Sequence, residues 1–251
     1  MAGFLMAYPD SGFIDNTLVP KLKFHRLLRL IEERYYSARF HRSILLLSPP
    51  RTGSTIVFNA LRCAMPGKSI LKTHENHDFL RQLPLVLTYR HPCDALASAV
   101  RLSKMPSREE AILELCRYML RSDAWRSVQH KVSSASKNCG VLRYEDFYAD
   151  FGHIFSTIEH VFGVRPSKSV VDTFNKTFNV MNVYEISQQR GSFEFYNSSD
   201  QIHGQHVSVD MGRPNSYRNF FDASEMEIVK NFLTPLIGGL GYIIEDSTKV
   251  D

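Results

Sequence analysis

No two cysteines in this sequence are spaced as C-x-x-C; Cys63, Cys93, Cys116 and Cys139 stand far apart. That absence sets aside structural zinc modules and dithiol redox chemistry, and it leaves reduced core thiols in a cytosolic chain as the expectation. Also missing is an apolar run long enough to cross a bilayer. The opening MAGFLMAYPD has neither the basic flank nor the apolar length of a secretory signal, so no membrane partner or anchor is expected. Repeats, low-complexity tracts and linker-like segments are absent too, and residues 1–251 read as a single domain. Charge of one sign is scarce: the net charge is +4 and the basic residues are dispersed. This argues against a nucleic-acid surface and for a local anion pocket. The most basic stretch, residues 21–42, carries Leu22, Leu27, Leu28, Leu30 and Ile31 and reads as a solvated amphipathic helix.

What the sequence does contain is concentrated in ILLLSPPRTGSTI, residues 44–56. Ile44, Leu45, Leu46 and Leu47 form a short run that is apolar at every position and stopped by proline, the pattern of a strand buried on both faces. Beyond the loop, Ile56, Asn59, Ala60 and Cys63 recur at helical spacing, with Ser54 or Thr55 suited to the N-cap. Strand, glycine loop and helix together aim backbone N–H groups and the positive end of a helix at one spot, a ready anion site. The same residues also suit an ordinary strand-to-helix turn. The Gly-Lys-Ser/Thr ending of nucleoside-triphosphate loops is lacking, since Arg51 precedes Gly53 and Ser54 and Thr55 follow it.

Three further strands are expected at SILKTH, PLVLTYRHP and CGVLRYE, with Pro92 opening a helix and a long helical segment from Ser107 to about Val132. Helix follows each strand, so the fold class is α/β with a mainly parallel, helix-covered sheet. Ligands of such sheets sit beyond the carboxyl ends of the strands. Those ends carry Arg51, Lys72 with His74, Arg90, and Tyr144 with Glu145. Further helices are expected within residues 150–163, 167–178 and 224–241. Residues 191–219, rich in Ser, Asn, Gly and His, read as one long loop suited to a lid.

This constellation resembles the sulfotransferases that use 3′-phosphoadenosine-5′-phosphosulfate (PAPS). The family's P-[KR]-[ST]-G-[ST]-[ST] loop is matched by Pro50, Arg51, Thr52, Gly53, Ser54 and Thr55. Its arginine at a strand end with a serine eight positions later is matched by Arg90 and Ser98, and its Lys-Thr-His by Lys72, Thr73 and His74. VLRYEDFYAD is similar to its Tyr-Glu-Asp segment and KTFNVMN to a segment that lends an aromatic to the nucleotide. The resemblance covers residues 43–160 well, with fainter echoes to about 235. It implies a three-layer, P-loop-like α/β fold and binding of PAPS, with 3′-phosphoadenosine-5′-phosphate (PAP) as product. The resemblance assigns the 5′-phosphosulfate to Arg51, Thr52, Gly53, Ser54 and Thr55, the 3′-phosphate to Arg90 and Ser98, and adenine contacts to Tyr144 and Phe178. GRPNSYRNFF echoes the late nucleotide loop at Gly212, but Asp210 and Met211 replace its Arg-Lys pair, which leaves Arg213 as the stand-in. The tryptophan that follows the first loop in many members is Ile56 here.

Sulfuryl transfer is served by alignment and by stabilising negative charge, with a base to deprotonate the acceptor. Arg51 and Lys72 supply charge, and His74, largely neutral at cellular pH, is the candidate base, with Glu75 as its rival. No metal is required by this scheme. A small hydroxyl- or amine-bearing acceptor is expected, its pocket shaped by the N-terminal segment and residues 180–219. The competing readings are a nucleotide kinase or triphosphatase, disfavoured by the missing lysine and Mg²⁺ carboxylate, and a nucleotide-binding regulatory module without turnover. Oligomeric state is left open.

Overall fold

The computed structural model describes residues 43–75, 83–134, 139–192, 195, 197, 199–208 and 210–244. The amphipathic helix expected in residues 21–42 lies outside these, and the single-domain expectation over residues 1–251 extends beyond them.

Four parallel strands form the sheet: β1 (Ser43–Leu47), β2 (Ser69–Thr73), β3 (Leu85–Tyr89) and β4 (Cys139–Arg143), in the order β2-β1-β3-β4. The run at β1 is apolar throughout because both faces are covered. Leu45 and Leu47 pack on one side with Leu87, Ile112, Trp125, Val229 and Leu233. Ile44 and Leu46 pack on the other with Val57, Phe58, Leu61, Val86 and Phe174. All four β1 residues are at most 2% exposed, and each such side chain contributes about 1.5–3 kcal/mol on burial.

The helices α1 (Ser54–Ala64), α2 (Pro92–Val100), α3 (Arg108–Arg121), α4 (Asp123–Ser133), α5 (Tyr144–Ala149), α6 (Gly152–Phe162), α7 (Lys168–Phe178), α8 (Val180–Arg190) and α9 (Ala223–Gly239) supply those covers. Helix α9 starts at a capping box between Asp222 and Glu225. The chain leaves β1 for β2 on one side and then crosses to β3 on the other. The strand order therefore reverses at β1, and the crevice above its carboxyl end is where this topology places ligands.

Local expectations fail at four points. The segment 107–132 is two helices, because Ser122 is extended at φ −66° and ψ 124° and turns the chain between α3 and α4. Helix α8 stands where only variable chain was expected; Asn179 caps it by accepting from the Asn182 N–H at 3.0 Å. The N-cap of α1 is Gly53 rather than Ser54 or Thr55, and no side chain caps that end. All four cysteines are free thiols, but Cys63, expected in the core, is exposed.

Candidate active site

The loop after β1 is built on two left-handed residues. Arg51 has φ 66° and Gly53 φ 80°, an alternation that turns successive backbone amides toward one concavity. Only glycine suits position 53: a Cβ there would lie 2.6 Å from Tyr144 Cδ2 and 2.8 Å from Phe147 Cζ. Thr52 is fully buried, its hydroxyl donating to the Pro49 carbonyl at 2.7 Å and paired with the Thr88 hydroxyl at 2.8 Å. It braces the loop against β3 and does not line the cleft.

The cleft above this loop encloses about 920 Å³. Of the residues singled out in the sequence, Arg51, Gly53, Ser54, Thr55, Lys72, His74, Arg90, Ser98, Tyr144, Phe178 and Gly212 line it. Arg213 does not; its side chain is exposed, and only its carbonyl takes part, accepting from Arg90 Nη2 at 3.1 Å. Glu75 is exposed and outside the lining. Arg90 and Ser98, expected to share the 3′-phosphate, both line the cleft, and each has a partner within the chain. Ser98 accepts from Arg51 Nε at 2.8 Å, while Arg90 Nη2 also donates to the Gly212 carbonyl at 3.0 Å. The Arg90 guanidinium lies over the Tyr144 ring at 4.4 Å, and the Tyr144 hydroxyl donates to the same Gly212 carbonyl at 3.0 Å.

The charge balance is one-sided. Burial, and then the neighbouring Arg90, push the Arg51 guanidinium down to about 10; Arg101 adds to this and Tyr144 opposes it. Burial and Arg51 push Lys72 down to about 8, while its Nζ donates to Thr55 Oγ1 at 2.9 Å. Each cation here is more easily held in the presence of an anion.

His74 follows Lys72 by two residues at the end of β2. Its Nδ1 stands 2.6 Å from the Ser48 carbonyl. A carbonyl can only accept, so Nδ1 carries the proton and Nε2 of the neutral ring holds the lone pair. The residue is exposed, though neighbouring protein still displaces water from the ring. Desolvation lowers its pKa below the ordinary 6.5, opposed by the Ser48 bond; Lys72 lowers it further and Glu75 raises it.

The sequence did not mark His203, His206, Gln201 or Ser208, all of which line the cleft. They lie on irregular chain that is tied down by side chains. Arg190 pairs with both carboxylate oxygens of Asp200, at 2.8 and 2.7 Å, and Asn59 Nδ2 donates to the Asp200 carbonyl at 2.7 Å. Asp94, 1% exposed, accepts from the N–H groups of Asn215 at 2.7 Å and Tyr217 at 3.0 Å.

No protein-family profile and no curated protein matches the sequence. Among solved structures, that of the mouse sulfotransferase SULT7A1 complexed with PAP is similar, with a TM-score of 0.59 and 14% identity. The likeness covers 78% of this chain and 83% of that chain. At this identity it establishes the fold: a P-loop-like, sulfotransferase-like α/β architecture.

Proposed function

We propose that the protein is a PAPS-dependent sulfotransferase that moves a sulfuryl group to a hydroxyl or amine of a small-molecule acceptor. The observation that carries this reading is the placing of His74 and Lys72 together at the mouth of the anion loop. The imidazole is held in one tautomer by Ser48, and the ammonium is joined to Thr55.

The residues present fit the nucleotide. The cleft volume is in the range of small-molecule sites. Its cations exceed the carboxylates near them, and the uncapped N-terminal end of α1 begins at the loop, as suits an anion. In this reading the 5′-phosphate is held by Arg51 with the backbone and hydroxyls of residues 53–55, and the 3′-phosphate by Arg90 and Ser98, with Phe178 and Tyr144 near the base. PAPS supplies the activated sulfuryl group. Arg51 and Lys72 stabilise negative charge as it develops on the leaving oxygen and the sulfuryl oxygens. His74 Nε2 takes the acceptor's proton, and its lowered pKa keeps it unprotonated and available at pH 7.

A cytosolic location is part of the proposal, supported by four free thiols. Among the described residues no helix is long and apolar enough to cross a membrane.

Calorimetric titration with PAP, together with turnover of labelled PAPS over a panel of hydroxyl and amine acceptors read by mass spectrometry, tests the reading. Wild type is expected to bind PAP. His74→Ala is expected to lose turnover by about 100-fold or more while PAP affinity is nearly unchanged. Equal loss of PAP binding in His74→Ala would remove the base role. Tighter binding of Mg²⁺-ATP than of PAP would overturn the sulfotransferase reading in favour of a kinase.

A further inference from the structure

A second pair of imidazoles faces the cleft and has no part in the reaction as set out above. The rings of His203 and His206 meet edge to face with centroids 4.5 Å apart. His203 Nδ1 stands 2.6 Å from the Gly204 carbonyl and therefore carries its proton there. His206 is fixed through its main chain on both sides. Its N–H donates to Ser187 Oγ at 2.6 Å, and its carbonyl accepts from Arg51 Nη2 at 3.2 Å. The backbone of the loop is thus clasped by the arginine of the anion site, and the imidazole stands at the cleft wall.

The His206 ring differs from its neighbours in its hydrogen bonding. Nδ1 is buried and has no hydrogen-bond partner. A guest cannot reach an atom without accessible surface, so Nδ1 is the bare lone pair and Nε2 carries the N–H of the neutral ring, which lines the cleft.

The surroundings decide what kind of guest. Burial first, and then His203, Arg51, Lys72 and Arg190, hold the ring unprotonated. A metal cation would add charge to a corner already rich in it. No group of three or more His, Cys, Asp or Glu suited to a metal occurs among the described residues. An anion suits these surroundings: it accepts from the neutral ring's N–H and screens the cations. Arg51 donates to the His206 carbonyl, and in the sulfotransferase reading Arg51 grips the transferring end of the ligand, so this corner lies at that end of the cleft.

We propose that His206 contacts the ligand, donating an imidazole N–H to the sulfuryl oxygens of bound PAPS and completing a clamp with Arg51 and Lys72. This rests on the sulfotransferase reading and adds to it a residue with no counterpart among the motifs that suggested it. The clamp distinguishes PAPS from PAP, because the product lacks the group that His206 holds.

The test is calorimetric titration of wild type, His206→Ala and His206→Gln with PAPS and, separately, with PAP, each variant first checked by thermal denaturation. Wild type is expected to bind PAPS more tightly than PAP. His206→Ala is expected to lose about tenfold in PAPS affinity with PAP affinity held, the scale of one hydrogen bond to a charged group. His206→Gln, which keeps an N–H at similar reach, recovers part of the loss. If His206→Ala does not fold, His206→Gln and His206→Asn carry the comparison: a smaller PAPS preference than wild type supports the clamp, and an unchanged one overturns it. Unaltered PAPS affinity in His206→Ala, or equal loss for both nucleotides, overturns the inference and leaves the sulfotransferase reading intact. A wild-type chain that binds neither nucleotide overturns both.

Discussion

Residues 48–55 and the irregular chain from 199 to 217 both line the cleft, but they are held there by different means. The first segment hangs from the sheet: β1 enters it, α1 leaves it, and the Ser48 N–H donates to the Thr73 carbonyl at 3.1 Å in continuation of the strand pairing. The second has no ladder. Arg190 and Asn59 hold its start through Asp200, Arg51 holds its middle through the His206 carbonyl, and Arg90, Tyr144 and Asp94 hold its end. The two regions therefore depend on each other unequally. Disturbing the second leaves the sheet intact, whereas changing Arg51 of the first releases one of the second's tethers. Arg51 and Arg90, proposed to grip an anion, also fasten the wall that would enclose it.

The sharpest way to break this arrangement is Asp94→Ala. It removes the acceptor shared by the N–H groups of Asn215 and Tyr217 and leaves the guanidinium of Arg90, 3.7 Å away, without its carboxylate. A loss of about 3 kcal/mol is expected in denaturant unfolding, with PAP affinity reduced through the displaced Gly212 loop. Next in size is Gly53→Ala, which strikes the sheet-borne segment and reaches the second only through Tyr144. The added methyl meets Tyr144 and must adopt φ near 80°, so a cost of about 1–2 kcal/mol is expected on unfolding. Titration should show a PAP affinity about tenfold or more weaker, with the Arg190 and Asp94 tethers of the second segment intact. The smallest effect sharpens the contrast through pH. Lys72 in the free chain loses its proton as pH rises through about 8, and anion binding favours the protonated form. PAP affinity should fall severalfold between about pH 7 and 9, and Lys72→Arg should flatten that fall.

The same contrast explains what could be read from the sequence. At Ile44–Leu47 of β1 every residue is apolar because helices cover both faces, and Lys72, His74, Arg90 and Tyr144 lie where regular strands end. Periodic chain announces itself, and groups at its ends come with it. Helix α8 gave no such signal, since VMNVYEISQQR buries only Val183 and Ser187. The break at Ser122 involves neither glycine nor proline, so nothing in the local pattern separates α3 from α4. Ser54 and Thr55 have the chemistry of caps, but the turn of Arg51 and Gly53 carries them one step into the helix. His206 was illegible for a further reason: its position follows from Ser187 and Arg51, 19 and 155 residues away in the chain, and spacing along a loop does not encode that. Arg213 was chosen by adjacency to Gly212, but the turn there sends its carbonyl inward and its side chain out.

Arg51 keeps a backbone conformation, at φ 66°, that glycine adopts with less strain. Two selections therefore meet at one codon. Selection for heat tolerance would favour glycine there, and selection for the proposed anion grip would favour the guanidinium. A variant library sorted by thermal tolerance alone would drift toward sturdy proteins with an empty grip. Alternating each such round with retention on an immobilised adenosine bisphosphate would keep both properties in play.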